Sequence, residues 1–289
     1  MSTSTPPSET DSAACRSTSH LTEELADYDP RMTYNAAAQD YDRTSAEFWR
    51  YSAQETVDRL ELAEGDHVLD VACGPGPAAL AAAGVVGPAG WVVGVDIAEE
   101  MTEIARRHAQ EQQVTTAAFE VGSMDRLRFD DGSFAAATCV FGLFFAQDIV
   151  ASIADKWCCL RPGGRLGITT LGPEFFSPMY QQFVDAARRE NSALDVDVPL
   201  RRTQDIDQLA EYFRAANVSD VAVEHEVTTL PFTSSADWWR IVMGTGIRRL
   251  AMELTDDALQ RVHNSNLQWM ASNGINSVEF GVIYCRARK

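Results

Sequence analysis

The sequence predicts a doubly wound α/β fold, a mostly parallel sheet of seven strands with helices on both faces. Three observations carry that prediction. Between about 45 and 175, short apolar runs of strand character alternate with helical patterns of roughly 10–15 residues, the rhythm of right-handed βαβ units. The Gly/Pro cluster Gly74-Pro-Gly-Pro77 directly follows the first apolar run, and an acid, Asp96, closes the second. After 172 the rhythm shifts to longer helical patterns with two further strands, which complete the sheet and leave helices over to cap it.

In chain order, residues 1–20 are rich in Ser, Thr and Pro and bury too little apolar surface to offset the entropy of ordering, so a flexible tail is expected. Residues 21–64 are expected to be helical at their end, because Trp49, Ala53, Val57 and Leu60 recur at three- and four-residue steps. Strands are expected at 67–72, 91–96, 117–121, 134–140 and 165–171, with helices at 78–86 and from 97 onward. A helix at 146–160 has the clearest stripe, Ala146, Ile149, Val150, Ile153, Ala154, Trp157 and Leu160, and Arg161-Pro-Gly-Gly164 stops it. Beyond this core of 65–172, residues 173–289 read as helices at 178–190, 205–216, 235–253 and 256–271, with strands at 221–230 and 278–285. Ser234-Ser-Ala-Asp237 reads as the N-cap of the third of these helices.

Composition narrows the functional classes. The 289 residues hold 42 acids and 24 bases, a formal charge of −18 that repels polyphosphate and anionic lipid, so nucleic acid is excluded as a partner. Six cysteines without a CxxC pair or regular spacing point to buried small hydrophobes in a reducing compartment, and no metal site is expected. The N-terminus lacks the apolar core of a secretory signal, and no run approaches the roughly 18–20 apolar residues of a membrane span. A soluble cytoplasmic protein is expected, and the sequence leaves a homodimer open.

The chemistry concentrates in Val68-Leu-Asp-Val-Ala-Cys-Gly-Pro-Gly76 and Val92-Val-Gly-Val-Asp96. Glycines after a buried strand allow a tight turn and close backbone approach to a ligand, and the helix that follows offers free N–H groups to an anion. An acid about twenty residues on, at the end of the next strand, grips ribose hydroxyls in open α/β sheets. Gly74-x-Gly76-x-x-Ala79 with Asp96 satisfies the dinucleotide fingerprint of an NAD-dependent oxidoreductase. Pro75 and Pro77, however, remove backbone donors from the loop that must cradle a pyrophosphate, and Asp70 repels phosphate while attracting an ammonium group. A cofactor with an amino-acid end, a ribose and an adenine but no phosphate fits better.

These residues resemble the class I S-adenosylmethionine-dependent methyltransferases, in particular the small-molecule branch of the ubiquinone and menaquinone (type 11) enzymes. Asp70-Val-Ala-Cys-Gly-Pro-Gly76 is similar to the first motif, D-V-G-C-G-x-G, with Ala72 where Gly is common. Gly122-Ser-Met-Asp-Arg-Leu-Arg-Phe-Asp-Asp-Gly-Ser-Phe134 is similar to G-D-A-x-x-L-P-F-x-D-x-S-F-D, with Ser123 in place of the acid and Ala135 in place of the last Asp. Leu160-Arg-Pro-Gly-Gly-Arg-Leu166 resembles L-K-P-G-G-x-L.

The resemblance implies a Rossmann-like fold, S-adenosylmethionine as cofactor, S-adenosylhomocysteine as product, and direct in-line transfer to a small-molecule acceptor, on O, C or N. It implies cofactor contacts at Asp70, Ala72, Gly74, Gly76, Asp96, Ile97, Met101, Ser123, Met124, Phe141 and Gly142. For the lid and acceptor it points to Tyr34, Tyr41, Phe145 and Trp239, with residues 21–64 as lid helices and 173–289 as cap. The many aromatics of the cap, among them Phe175, Phe176, Trp238 and Trp269, lean towards a hydrophobic or aromatic acceptor. His225 and His263 are the candidates for a general base, while His20, His67 and His108 read as structural. A binding protein that keeps the fold and cofactor but not the transfer stays open beside the oxidoreductase.

Overall fold

The computed structural model describes residues 29–44, 46–196 and 199–289, with side chains at 39–47 outside the described set. The expected tail at 1–20 therefore lies outside the described residues. The elements run α1 (Pro30–Thr44), α2 (Ala46–Asp58), β1 (His67–Val71), α3 (Pro77–Val86), β2 (Trp91–Asp96), α4 (Glu99–Glu111), β3 (Ala117–Val121), β4 (Phe134–Val140), α5 (Ile149–Cys158) and β5 (Leu160–Leu171). They continue with α6 (Met179–Glu190), α7 (Ile206–Ala215), β6 (Ala222–Pro231), α8 (Ala236–Gly244), α9 (Arg248–Met252), α10 (Asp256–Asn273) and β7 (Ser277–Arg288).

The strands form one seven-stranded sheet in the order β3-β2-β1-β4-β5-β7-β6. The first five are parallel, and β7 lies antiparallel between β5 and β6. Because β1, β2 and β4 are covered on both faces, they are almost continuously apolar, as buried parallel strands must be. On one face Leu69, Val71, Ala137 and Ile168 pack under Ile149 and Ile153 of α5 and Leu209 and Phe213 of α7. On the other, Val68, Val92 and Ala136 meet Ala53 and Val57 of α2 and the alanines of α3, whose small side chains let that helix lie close to the sheet. Aromatics form a third core above the strand ends, where Trp49, Phe175, Phe176, Phe183, Trp238 and Phe280 join the cap to the sheet.

Several boundaries differ from expectation for local reasons. The expected helix at 146–160 begins only at Ile149, after a 3₁₀ turn at Leu143–Phe145, because Asp148 caps it by accepting from the Ala151 amide at 2.9 Å. β5 begins at Leu160 instead of 165, since Phe134 pairs with Leu160 across a register shift and Gly163 and Gly164 bond to Lys289. The expected helix at 235–253 breaks into α8 and α9 at Thr245, whose backbone is extended. Ser235 stands at the N-cap of α8 without a side-chain bond; instead Asp237 reaches back to accept from the amides of Thr233 and Ser234 at 2.6 and 2.9 Å. Cys73, Cys139, Cys159 and Cys285 are buried free thiols. Among the described residues no helix is long and apolar enough to cross a membrane, and no cluster of metal ligands occurs.

Candidate functional site

The strand order reverses direction between β1 and β4, and the loops after these two strands part to leave a crevice, the place where open α/β sheets hold ligands. The loop after β1 is built to approach a ligand closely. Ala72, Gly74 and Gly76 all have left-handed backbones, with φ of 58, 53 and 89°, and a Cβ at Gly76 would stand 3.1 Å from the Phe119 ring and the Ala105 methyl. Two side chains fix the loop from opposite sides. Asp96, at the end of β2, accepts from the Gly74 and Ala98 amides at 2.8 Å each, and burial pushes its carboxyl up. His108 of α4 donates from Nδ1 to the Pro75 carbonyl at 3.1 Å.

Asp70 does something different from what the sequence suggests. Its carboxylate is 1% exposed, does not line the crevice, and accepts from the Ala79 amide at 3.0 Å and from Thr138 Oγ1 at 2.7 Å. Burial pushes its carboxyl up to about 7. The expected direct attraction of a ligand ammonium is thus replaced by a brace behind the loop, because the side chain at this position of β1 turns under α3 towards β4. Gly76 likewise shapes the loop without lining the cavity.

The loop after β4 meets the loop after β1 in a close fit. A Cβ on Gly142 would lie 2.5 Å from that of Ala72, so alanine at 72 is compatible only with glycine at 142. Phe141 has a φ of 55°, a conformation that costs a bulky residue about 1–3 kcal/mol and recurs at ligand sites. Its amide donates to Thr169 O at 2.8 Å, and its ring packs edge-on to Trp49 at 4.9 Å.

Between these loops lies a cavity of about 350 Å³. Of the residues singled out from the sequence, Ala72, Gly74, Asp96, Ile97, Met101, Ser123, Met124, Phe141 and Gly142 line it, together with Tyr34 of α1 and Phe145. A second, apolar cavity of about 60 Å³ adjoins it, and Tyr34, Phe141 and Phe145 line both. The rings of Tyr34 and Phe145 meet edge to face at 5.5 Å.

Other expectations move. Trp239 lines neither cavity; it stacks on His263 with centroids 4.3 Å apart on the outer side of the cap, because its neighbour Trp238 takes the inward position on α8. His263 on α10 and His225 on the edge strand β6, where Glu174 lies 3.0 Å from its Nε2, also line neither, so neither is placed to act as a base there. Tyr41 lies in α1 with its side chain outside the described residues.

The sequence missed Asp29, Arg31, Asp125 and Gln147, all of which line the larger cavity. Asp29 and Arg31 pair at 2.7 Å just before and within the start of α1, where no periodic pattern marks them. Asp125 accepts from the Gln147 amide at 3.0 Å, and burial pushes its carboxyl up. Its signal was present two residues beyond Ser123, in the same motif.

The cavity suits S-adenosylmethionine on its own geometry. Ile97, Met101 and Met124 offer apolar surface beyond the Asp96 carboxylate, the Ala72–Gly142 contact leaves backbone exposed to a ligand, and the volume matches a nucleoside with an amino-acid tail. A pyrophosphate fits poorly, since Pro77 opens α3 without a donor, the Ala79 amide is taken by Asp70 and the Leu80 amide by Gly76 O.

A methyltransferase-domain family model matches residues 68–164. The chain is 33% identical over 168 residues to nocamycin O-methyltransferase from Saccharothrix syringae, covering 58% of this chain and 59% of that one. It is 30% identical over 208 residues to demethylmenaquinone methyltransferase from Symbiobacterium thermophilum, covering 64% and 83%. The chain thus spans less than two thirds of the first relative's length and most of the second's. Among solved structures, the YcgJ protein of Bacillus subtilis superposes with a TM-score of 0.56 at 21% identity, over 83% of this chain and 98% of that one, which shows the shared fold. From the motif core, its glycine loop and this similarity, the chain belongs to the S-adenosylmethionine-dependent methyltransferase family.

Proposed function

We propose that this protein methylates a hydrophobic or aromatic small molecule, with the cofactor in the larger cavity and the acceptor entering across the wall of Tyr34, Phe141 and Phe145. The observation that carries this reading is that shared wall: a nucleoside-sized cavity of mixed polarity meets an apolar one through three aromatic side chains. Bound S-adenosylmethionine supplies an electrophilic methyl group on a sulfonium, and S-adenosylhomocysteine remains after transfer.

The chain's own residues then position and exclude water. Asp96 takes the ribose hydroxyls, Ile97 and Met101 flank the adenine, and Ser123 and Met124 close its edge. The left-handed backbones at Ala72, Gly74 and Phe141 bring main-chain groups against the amino-acid end, and the rings of Phe141 and Phe145 keep water from the transferring carbon. Asp70 holds the loop from behind. The partner is a small-molecule acceptor; the acidic surface disfavours nucleic acid, and the chain works in the cytoplasm.

Calorimetric titration tests the reading: S-adenosylhomocysteine binds and NADH does not, and the opposite result would sink it. Asp96→Ala weakens S-adenosylhomocysteine by about 1.5–3 kcal/mol through the loss of charge-assisted hydrogen bonds. Unchanged affinity in that variant would remove Asp96 from the ribose site.

A further inference from the structure

One peptide unit joins the cap to the cofactor cavity. Arg202 lies on the 3₁₀ turn Pro199–Thr203, which β5 anchors through a bond from Thr170 Oγ1 to the Thr203 carbonyl at 2.8 Å. Its Nη1 donates to the carbonyls of Phe144 and Ala146 at 3.1 and 2.6 Å, and its Nη2 to that of Gln147 at 3.2 Å. The Ala146 carbonyl and the Gln147 amide belong to the same peptide plane, and that amide donates to Asp125 Oδ1 at 3.0 Å. A cation therefore holds one end of the plane and a carboxylate the other, and each polarises the peptide in favour of the other's bond. Pro199 and Leu200 of the Arg202 turn line the second cavity, whereas Asp125 and Gln147 line the first.

We infer that Asp125 reads the exocyclic amino group of the cofactor's adenine, and that Arg202 of the cap is the positioning residue that holds it there through the Ala146–Gln147 peptide. This rests on the methyltransferase reading and adds to it how the base is recognised and from where that recognition is controlled. Asp96 and Val121 pair in register at the ends of β2 and β3, and the Gly122 amide donates to the Asp96 carbonyl at 2.9 Å, so residues 122–125 leave the sheet beside the ribose-binding acid. A base lying between Ile97 and Met101 on one side and Met124 on the other turns its outer edge to Asp125. Ser123, at the position where the family motif carries an acid, is engaged with Asp125 itself: its Oγ accepts from the Asp125 amide at 3.2 Å and its hydroxyl donates to the Asp125 carboxylate. A carboxylate offers about four acceptor positions, and the Gln147 amide and the Ser123 hydroxyl take two, which leaves room for an amino donor. The acid is thus moved two residues along the chain and tied to the turn that borders the second cavity.

The test is calorimetric titration of S-adenosylhomocysteine and S-inosylhomocysteine, in which an oxo group replaces the amino group, into the whole protein and its variants. The ratio of the two affinities is the readout, because a general loss of folded structure lowers both alike. The natural protein is expected to prefer S-adenosylhomocysteine by at least about tenfold, the scale of one hydrogen bond to a charged group. In D125N, whose amide both donates and accepts, the preference falls to within about threefold. In R202Q it falls by about threefold or more, and in R202K, which keeps the cation without the fork that spans neighbouring carbonyls, it lies between the natural protein and R202Q. Equal binding of the two probes by the natural protein, a preference that survives D125N, or one that collapses in S123A but not in D125N overturns Asp125 as the reader. A preference unchanged in R202Q overturns the part given to Arg202. Should R202Q fail to fold, R202K decides, and the full natural preference there counts against positioning from the cap. Failure of S-adenosylhomocysteine itself to bind the natural protein would instead overturn the methyltransferase reading, so the two failures are told apart.

Discussion

Around the glycine loop, contact is made by backbone and by side chains no larger than those of Ala72, Gly74, Gly76 and Gly142, whereas the cap is filled by Trp49, Phe175, Phe176, Phe183, Trp238 and Phe280. The first region gains its shape from torsion angles and hydrogen bonds; the second gains it from volume. A site packed this closely tolerates few added atoms, because a Cβ at Gly76 would press on the Phe119 ring and the Ala105 methyl and one at Gly142 on the Ala72 methyl and Cys139 Sγ. A site built from aromatic volume can be resized by substitution without losing its walls. The family's shared cofactor and divergent acceptors map onto that contrast: the family model ends at residue 164, before the cap begins.

The sharpest way to break the contrast is to empty the cap. Trp238 is fully buried on α8, and its Nε1 donates to Asn266 Oδ1 at 2.8 Å, which ties α8 to α10. Trp238→Ala removes the ring and leaves the amide oxygen of Asn266 without its donor, so about 3–5 kcal/mol of stability is expected to be lost in denaturant unfolding. Affinity for S-adenosylhomocysteine in the folded fraction should change less than threefold if the two regions are built independently. A cofactor affinity that falls in step with stability would show them to be one unit.

The converse experiment crowds the cofactor loops. Gly142→Ala puts a methyl 2.5 Å from the Ala72 methyl, and the expected cost is about 1–3 kcal/mol with loss of S-adenosylhomocysteine binding. Ala72→Gly alone should be neutral or mildly stabilising, because φ is 58° there and glycine adopts it without a Cβ penalty. Combining the two should restore both stability and binding. A double variant as poor as Gly142→Ala would mean that the Cβ clash is not what selects glycine.

The same contrast governs what was legible in the sequence. The bounds of β2, β3 and β4 coincide with the expected 91–96, 117–121 and 134–140, since a doubly covered strand is an apolar run punctuated by Gly, Asp or a turn. Nine of the residues singled out for the cofactor line the cavity, because the order of strand, loop and helix fixes where a strand-end residue must be. Asp70 was misjudged for the same reason in reverse: position at a strand end does not say which way the side chain turns, and here it turns under α3. In the cap, periodicity distinguishes a buried helix face but not what it is buried against. Trp238 and Trp239 sit about 100° apart on α8, so one enters the core and the other stacks outside on His263. The break at Thr245, which sets Arg249 beside the second cavity, is marked only by the glycines on either side of it, Gly244 and Gly246.

Asp70 supplies a last and smaller test, in which the backbone-built region is probed by pH. Its carboxyl is raised from 3.8 to about 7 chiefly by burial, with the Thr138 and Ala79 bonds opposing and the nearby Asp96 adding to the rise. A carboxyl with a higher pKa in the folded state than in the unfolded one binds its proton more tightly when folded. Its contribution is therefore most favourable below about 4 and is lost as pH rises through the window to about 7. The slope is at most about 1.4 kcal/mol per pH unit for one proton. Asp70→Asn keeps an acceptor for the Ala79 amide and cannot ionise, so the difference in stability between this variant and the natural protein should grow in the variant's favour from about pH 4 to 7 and level off above it. Denaturant unfolding at several pH values reads this difference directly and cancels the titration of every other group. A difference that stays flat across the window would mean that Asp70 is ionised throughout, and the brace behind the glycine loop would then be a charged one, held against its burial by Thr138 and the Ala79 amide.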